Sequence, residues 1–108
     1  MIFEFLLESG DYMIKSTIIS ILKQNLPELQ REYKINFLKL FGSYSKNQQN
    51  PDSDVDILVD FNEVINLIQF IKLKNALSEM LNMNVDLVME NALKKRIKNK
   101  ILKEAESI

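Results

Sequence analysis

The chain of 108 residues contains no cysteine and no histidine. The absence of both residue types excludes disulfides, a thiol nucleophile, a histidine-based catalytic triad and the usual kind of zinc site. Hard metal ions held by oxygen ligands are still compatible with this composition. Metal-assisted chemistry with carboxylate ligands therefore remains open.

The sequence also lacks a long apolar segment. No stretch approaches the roughly 20 consecutive apolar residues that span a bilayer, and Glu4 stands where a signal peptide would carry positive charge. We therefore expect a cytoplasmic protein that makes no contact with a membrane. The formal net charge of −1 argues against direct nucleic-acid binding, because dedicated binders are normally clearly basic.

A hydrophobic content of 46% with 27% charged residues is typical of one globular domain. Residues 1–12 combine the apolar run MIFEFLL with the breaker-like Ser9-Gly10-Asp11. We expect them to form a leader outside the domain, with Met13 as a candidate native start and residues 13–108 as the domain. A domain of this size leaves little surface for enclosing a bulky acceptor.

Hydrophobic periodicity predicts three helices and three strands. The predicted helices cover residues 14–26, 62–81 and 92–106, the first being ended or restarted at Pro27. The predicted strands cover 35–41, 54–61 and 85–89, with a polar loop at 43–53. This order predicts the α/β (α+β) class, with a small mixed β-sheet flanked by helices.

Apolar residues recur at helical spacing in the two later helices, and we expect these stripes to belong to the core, although a partner could share one of them. The predicted stripe positions are Val64, Leu67, Ile68, Ile71, Leu77 and Leu81, then Leu93, Ile97, Ile101 and Ala105. The last helix also carries six basic residues between Lys94 and Lys103. They form either a solvated face or a contact for an acidic partner or for phosphates.

Two carboxylates stand on the strand that is most clearly predicted. Asp54 and Asp56 project from the same face of an extended chain, while Val55 and Ile57 point to the other face. Two neighbouring carboxylates repel each other unless a cation lies between them. Oxygen ligands favour Mg²⁺, with Mn²⁺ as an alternative. The simpler interpretation, a pair of turn acids, is the alternative.

Asp86 is the third acid of interest, in the sequence Val85-Asp86-Leu87-Val88, which is typical of a buried strand. A buried aspartate is costly without a partner. If this strand lies beside the second one, Asp86 joins Asp54 and Asp56 and completes three catalytic carboxylates for two metal ions. Its carboxylate could also accept a proton from an attacking hydroxyl. A plain turn residue is the alternative.

A glycine-serine pair precedes the aspartates by ten residues. Gly42, at the end of a predicted strand, lets the backbone approach a ligand closely, and the amides of the next turn with the Ser43 hydroxyl can hold phosphate oxygens. Lys46 could add positive charge for a triphosphate. Without the aspartates, Gly42-Ser43 would be an ordinary turn, and Tyr44 is expected to serve packing.

The stretch LFGSYSKNQQNPDSDVDILVDF resembles the signature of the DNA polymerase β-like nucleotidyltransferase superfamily. Within it, the chain from Met13 onward resembles the minimal nucleotidyltransferases, the antitoxin halves of HEPN/MNT toxin–antitoxin pairs. Lys46 and Asn47 stand where the family often has arginine and glycine, which bears on the grip on phosphate.

The resemblance implies the polymerase β-like fold, Asp54, Asp56 and Asp86 as metal ligands, and Gly42 and Ser43 as triphosphate contacts. It also implies ATP as donor and a tyrosine hydroxyl of a HEPN ribonuclease toxin as acceptor, so that AMP modification silences the toxin. Two alternatives stay open. One is a binding antitoxin without catalysis. The other is a small-molecule nucleotidyltransferase of the aminoglycoside-modifying type, which usually has a second substrate-binding domain that we do not expect here.

Overall fold

The computed structural model describes residues 14–46, 48 and 53–108. The predicted leader, residues 1–12, lies outside the described residues, so the domain boundary stays a prediction. The described elements are, in chain order, α1 (Lys15–Tyr33), β1 (Ile35–Phe41), β2 (Val55–Phe61), α2 (Leu67–Leu81), β3 (Val85–Met89), a short 3₁₀ helix (Glu90–Ala92), α3 (Lys95–Glu104) and β4 (Glu106–Ser107). No described helix is long and apolar enough to cross a membrane.

The four described strands form one mixed sheet in the order β3-β2-β1-β4. Strand β1 is antiparallel to both β2 and β4, whereas β2 and β3 are parallel. The parallel pair requires a crossover, which α2 supplies. The predicted class, a small mixed sheet flanked by helices, is confirmed. The edge strand β4 was not predicted, because two residues carry no periodicity.

The core lies between α1, α2 and one face of the sheet. Strand β2 places Val55, Ile57 and Val59 on that face, and all three are fully buried. The helices cover them with buried leucine and isoleucine side chains, namely Ile18, Leu22, Leu29, Leu73, Leu77 and Leu81. Alternation along β2 leaves Asp54 and Asp56 on the opposite face, as predicted.

Helix α1 continues through Pro27, so the prediction of an end or restart at that residue was wrong. An interior proline removes one hydrogen bond and costs about 3 kcal/mol. The carbonyl that loses its donor belongs to Lys23, which is exposed, so water can solvate it. Leu22 and Leu29 are buried on either side of Pro27. Their burial holds the helix together across the proline.

Helix α2 begins at Leu67, four to five residues later than predicted. The reason is a capping box at Asn66. The Asn66 side chain accepts a hydrogen bond from the Gln69 amide at 2.8 Å, and the Gln69 side chain accepts one from the Asn66 amide at 3.1 Å. These bonds satisfy two amides that a helix start would otherwise leave open.

The predicted core stripe of α2 is correct only at its end. Leu77 and Leu81 are fully buried. The first four stripe positions are exposed instead, with exposed fractions of 99% for Val64, 71% for Leu67, 65% for Ile68 and 45% for Ile71. The apolar positions before α2 and in its first turns are therefore exposed to solvent, and this part of the core prediction was wrong.

Helix α3 covers Lys95–Glu104, a shorter range than the predicted 92–106. Ala92 belongs to the 3₁₀ helix, and Glu106 belongs to β4. No residue of α3 is buried, and Ile97 is half exposed. The predicted stripe of this helix is therefore not part of the core, and α3 lies on the surface of the fold.

Removing the capping box at Asn66 is expected to lower the stability of the fold measurably. Asn66→Ala is expected to lower the free energy of unfolding by about 1 kcal/mol, because the Gln69 amide loses its acceptor. Asn75→Ala, an exposed change within the same helix, is the matched control and should be neutral or slightly stabilising. Urea denaturation of both variants measures the difference. Equal stability of the two variants would contradict the assigned helix start.

Candidate active site

Two strand pairings bring the carboxylates to one edge of the sheet. In the parallel pair, Asp56 of β2 lies directly opposite Asp86 of β3. Asp54 immediately precedes β2, two residues before Asp56. In the antiparallel pair, Asp56 lies opposite Phe41, so the chain leaves β1 into Gly42 beside the same carboxylate. The predicted aspartates and the predicted glycine therefore meet at this edge.

Asp56 is the electrostatic centre of the cluster. Burial raises the pKa of its carboxyl from the ordinary 3.8 to about 6, and the negative charges of Asp86 and then Asp54 add to the shift. A carboxyl–carboxyl hydrogen bond with Asp86 further favours the protonated form. The ionisation of Asp56 is therefore unfavourable, first because of burial and then because of the carboxylate repulsion expected from the sequence.

Asp54 and Asp86 are less enclosed than Asp56. The prediction that Asp86 is buried was wrong, since its neighbours Val85 and Leu87 turn inward and Asp86 itself is exposed. Among residues 14–46, 48 and 53–108, no three acidic side chains are arranged to hold a metal ion by themselves. The edge thus offers a facing carboxylate pair with a third acid nearby, and the metal-ligand roles stay predictions.

Position 42 requires a glycine because its backbone lies against the Asp56 side chain. Its φ angle is +74°, a left-handed conformation that L side chains rarely adopt. A Cβ atom at this position would also overlap the Asp56 carboxylate. The backbone of the glycine-serine turn therefore lies directly against the acid, as close approach to a shared ligand requires.

The residues after Gly42 form a single helical turn at the start of the predicted polar loop, while residues 47 and 49–52 lie outside the described part. The Gly42 carbonyl accepts hydrogen bonds from the Lys46 amide at 3.3 Å and the Ser45 hydroxyl at 3.0 Å. The Gln48 amide donates to the Ser43 carbonyl at 2.8 Å. Tyr44 is fully buried, with its hydroxyl 3.8 Å from the Met83 sulfur, so its predicted packing role is confirmed.

Two lysines accompany the turn. The predicted phosphate residue, Lys46, forms an exposed ion pair with Glu104 of α3 at 3.0 Å. The sequence did not single out Lys15, whose ammonium donates to the Ser45 carbonyl at 2.9 Å. No local pattern marks Lys15, because the two residues are separated by 30 positions. Only the packing of α1 on the sheet brings them together.

The Gly42 contact gives a second prediction. Gly42→Ala is expected to lower the free energy of unfolding by at least about 1 kcal/mol through the left-handed backbone alone. The overlap with the Asp56 carboxylate adds to this loss. The loss should shrink in an Asp56→Ala background, where the overlapping atoms are gone. A double-mutant cycle by urea denaturation measures the coupling, and strict additivity would contradict the proposed contact.

The third prediction concerns pH. Because the folded-state pKa of Asp56 is raised, the folded chain binds this proton more tightly than the unfolded chain. The corresponding stability is present below the ordinary pKa of 3.8 and is lost as the pH rises through about 6. Asp56→Asn, which keeps the shape without the charge, should therefore become more stable relative to the wild type as the pH rises.

The measurement is denaturation of both proteins in buffer stripped of divalent cations, between about pH 4 and pH 7. We expect the difference between them to grow by about 1 kcal/mol, a value reduced from the full pKa shift because water screens the half-buried group. A difference that stays constant over this range would show that the ionisation of Asp56 is not disfavoured in the folded chain.

The chain as a whole is similar to proteins of one described family. The family described as polymerase beta, nucleotidyltransferase, matches residues 17–108. A protein adenylyltransferase, MntA, of Thermococcus cleftensis is 42% identical over 87 residues, covering 81% of this chain and 88% of its own. The MntA of Shewanella oneidensis is 38% identical over 74 residues, covering 68% of this chain and 49% of its own.

Similar solved structures support the same family assignment. A structure assigned as a minimal nucleotidyltransferase superposes with a TM-score of 0.80 at 31% identity, covering 92% of this chain and all of that one. A toxin–antitoxin structure with AMP-PNP superposes with a TM-score of 0.64 at 27% identity, covering 88% and 72%. The chain therefore belongs to the polymerase β-type nucleotidyltransferases and, within them, to the minimal nucleotidyltransferases.

Proposed function

We propose that this enzyme transfers AMP from ATP to a tyrosine hydroxyl of a HEPN-type ribonuclease toxin and thereby acts as its antitoxin. The observation that carries the proposal is the meeting of Asp54, Asp56 and Asp86 with the Gly42 turn at one edge of the sheet. Relatives named as protein adenylyltransferases support it, as does a relative structure in which an MNT antitoxin is bound to a tri-AMPylated HEPN toxin. The proposed setting is the cytoplasm.

The carboxylate pair fits a divalent cation. Asp56 faces Asp86 and has a raised pKa, so a positive charge between them would relieve an existing repulsion. Mg²⁺ is usually bound by one or two carboxylates together with substrate phosphates, which suits a pair better than a closed cage. When bound, one or two Mg²⁺ ions, or Mn²⁺, would offset the negative charge of the carboxylates and the triphosphate.

The Gly42 turn is assigned to the triphosphate. Gly42 brings the backbone against the site, and the half-buried Ser43 hydroxyl is available for phosphate oxygens. Lys46 can join them by leaving Glu104. Its ion pair is exposed, and such pairs contribute only about 0–1 kcal/mol. Exchange of a carboxylate for a phosphate is therefore inexpensive in free energy.

The proposed transfer of AMP to the acceptor hydroxyl balances in atoms and charge. The acceptor oxygen attacks the α-phosphorus of ATP in line. The bond from that phosphorus to the oxygen it shares with the β-phosphorus breaks, and pyrophosphate leaves. The hydroxyl proton passes to a carboxylate. Asp86 is assigned this role because it is exposed at the edge, where a group arriving from outside can reach it.

The small size of the fold favours an acceptor hydroxyl supplied by another protein. The described residues build one sheet with helices packed mainly on one face, and the carboxylates lie on the other face. The basic helix α3 adjoins the turn through the Lys46–Glu104 pair and can steer an acidic protein surface toward the site. A small-molecule nucleotidyltransferase is less well supported, because this small domain offers little to enclose a free acceptor.

Catalysis and simple occlusion of the toxin differ in stoichiometry, which gives the fourth prediction. Toxin is incubated with a tenfold deficit of this protein, ATP and Mg²⁺, and RNA cleavage is assayed after the protein is removed. We expect loss of ribonuclease activity and a mass gain in steps of AMP on the toxin. Occlusion would require at least one protein molecule per toxin site.

The matched controls are Asp54→Asn and Asp56→Asn, which remove charge while nearly preserving shape. Both should abolish transfer, because each removes a proposed metal ligand, and both should remain folded by circular dichroism. Full ribonuclease activity with no added mass in the wild-type reaction would reject the catalytic proposal and favour a binding antitoxin. A large stability loss in both variants would assign the aspartates a structural role.

A further inference from the structure

Lys15 joins three segments that are far apart in the sequence. It is the first residue of α1, and its ammonium donates a hydrogen bond to the Ser45 carbonyl at 2.9 Å. The same ammonium forms an ion pair with Glu106 of β4 at 3.0 Å. The Lys15 side chain is only 21% exposed. The Lys46 side chain is 40% exposed, so Lys15 is the better protected lysine. The Glu106 side chain is 47% exposed, so the hydrogen bond from Lys15 to Ser45 is the contact that constrains the turn.

The Lys15 hydrogen bond completes the fixation of one peptide group in the turn. The peptide that links Ser45 to Lys46 has its carbonyl on the Lys15 ammonium and its amide on the Gly42 carbonyl. A peptide group bonded at both ends cannot rotate without breaking a hydrogen bond. The Gly42 carbonyl that accepts the Lys46 amide belongs to the same peptide group as the Ser43 amide, so this hydrogen bond also limits the orientations available to the Ser43 amide.

Strand β4 brings Glu106 into position. Glu106 pairs with Leu40 of β1, two residues before Gly42, and the Ile108 amide donates to the Leu38 carbonyl at 3.0 Å. The backbone of β4 is therefore attached to the strand that leads into the turn. The Glu106 carboxylate holds the Lys15 ammonium beside Ser45. This arrangement keeps the lysine engaged with the carbonyl while balancing its charge.

We propose that Lys15 is a positioning residue of the nucleotide site, and that Glu106 holds it in place. By fixing the Ser45 carbonyl, Lys15 orders the Gly42–Lys46 turn before the triphosphate arrives, so the free energy of ordering the turn does not weaken binding. This inference rests on the proposed function, because the turn is taken to bind the phosphates of ATP.

A different role for Lys15 would be a direct charge contact with phosphate. The two roles make opposite predictions for Glu106→Gln. If Glu106 positions Lys15, removing its charge loosens the turn and weakens nucleotide binding. If Glu106 only neutralises Lys15, removing the charge of Glu106 leaves the positive charge of the ammonium uncompensated, and nucleotide binding tightens. The proposal commits to the first result.

The fifth prediction compares Lys15→Met, Lys15→Arg and Glu106→Gln with the wild type. Lys15→Met is expected to raise the Kd for AMP-PNP with Mg²⁺ roughly tenfold, the equivalent of one charge-assisted hydrogen bond. The KM for ATP should rise with it, while the KM for the acceptor protein stays unchanged. Lys15→Arg should restore most of the binding, and Glu106→Gln should weaken it to an intermediate level.

Lys23→Met is the matched control, since Lys23 is exposed two turns further along the same helix and the charge change is identical. Calorimetric titration with AMP-PNP, at a temperature where every variant is folded, measures binding without turnover. A Kd within twofold of the wild type for Lys15→Met would overturn the inference, as would tighter binding by Glu106→Gln. Equal losses in Lys15→Arg and Lys15→Met would also overturn it.

These readouts separate the two proposals. If the wild type binds AMP-PNP but transfers no AMP, the proposed function fails, while the ratio of binding constants still tests Lys15. If the wild type transfers AMP and Lys15→Met binds the nucleotide equally well, the positioning role alone fails.

Discussion

The enclosure of the Asp56 carboxyl beside Asp86 and Asp54 is the constraint on which the rest of this structure depends. The parallel register of β2 and β3 places the first two opposite each other, and burial raises the pKa of Asp56 to about 6. Such an arrangement opposes folding, so other parts of the chain have to hold it. They do so through β2, where Val55 and Ile57 are fully buried on the other face. Any register shift that separated the acids would expose these residues, because a slip of one residue exchanges the two faces of a strand.

The same crowding explains the turn that follows β1. The Asp56 carboxylate occupies the space in which a side chain of residue 42 would lie, so glycine is needed for both volume and backbone conformation. Once the chain has turned at Gly42, its carbonyl accepts two hydrogen bonds from the turn, and Lys15 secures the Ser45 carbonyl. The acids and the turn therefore form one mechanical unit. On the proposed function, a change in either would displace the other and so connect the position of the triphosphate with that of the carboxylates.

The sequence could predict what depends on short-range pattern. Alternation along residues 54–61 places both acids on one face, and glycine after an apolar run indicates a turn. It could not identify Lys15, because that residue acquires its role through contacts with distant segments. Periodicity also predicts an apolar face on α2 but not which part of that face other elements cover, so Val64 and Leu67 were wrongly assigned to the core. Pro27 was misjudged for the converse reason, since tertiary burial on both sides outweighs a local helix-breaking preference.

Charge is distributed unevenly, and this asymmetry bears on how an acceptor protein reaches the site. Residues 94–104 contain six basic residues and one acid, so with a chain total of −1 the remainder carries −6. The carboxylate edge by itself would repel an acidic surface. Helix α3 offsets that repulsion, and its Glu104 is joined to Lys46 of the turn. Surface charges act over about 10 Å at 0.1 M salt, which is enough to guide an approaching protein but too short to act across the whole fold. On the proposed function, α3 governs how fast an acceptor arrives, and the acids and the turn govern what happens to it there.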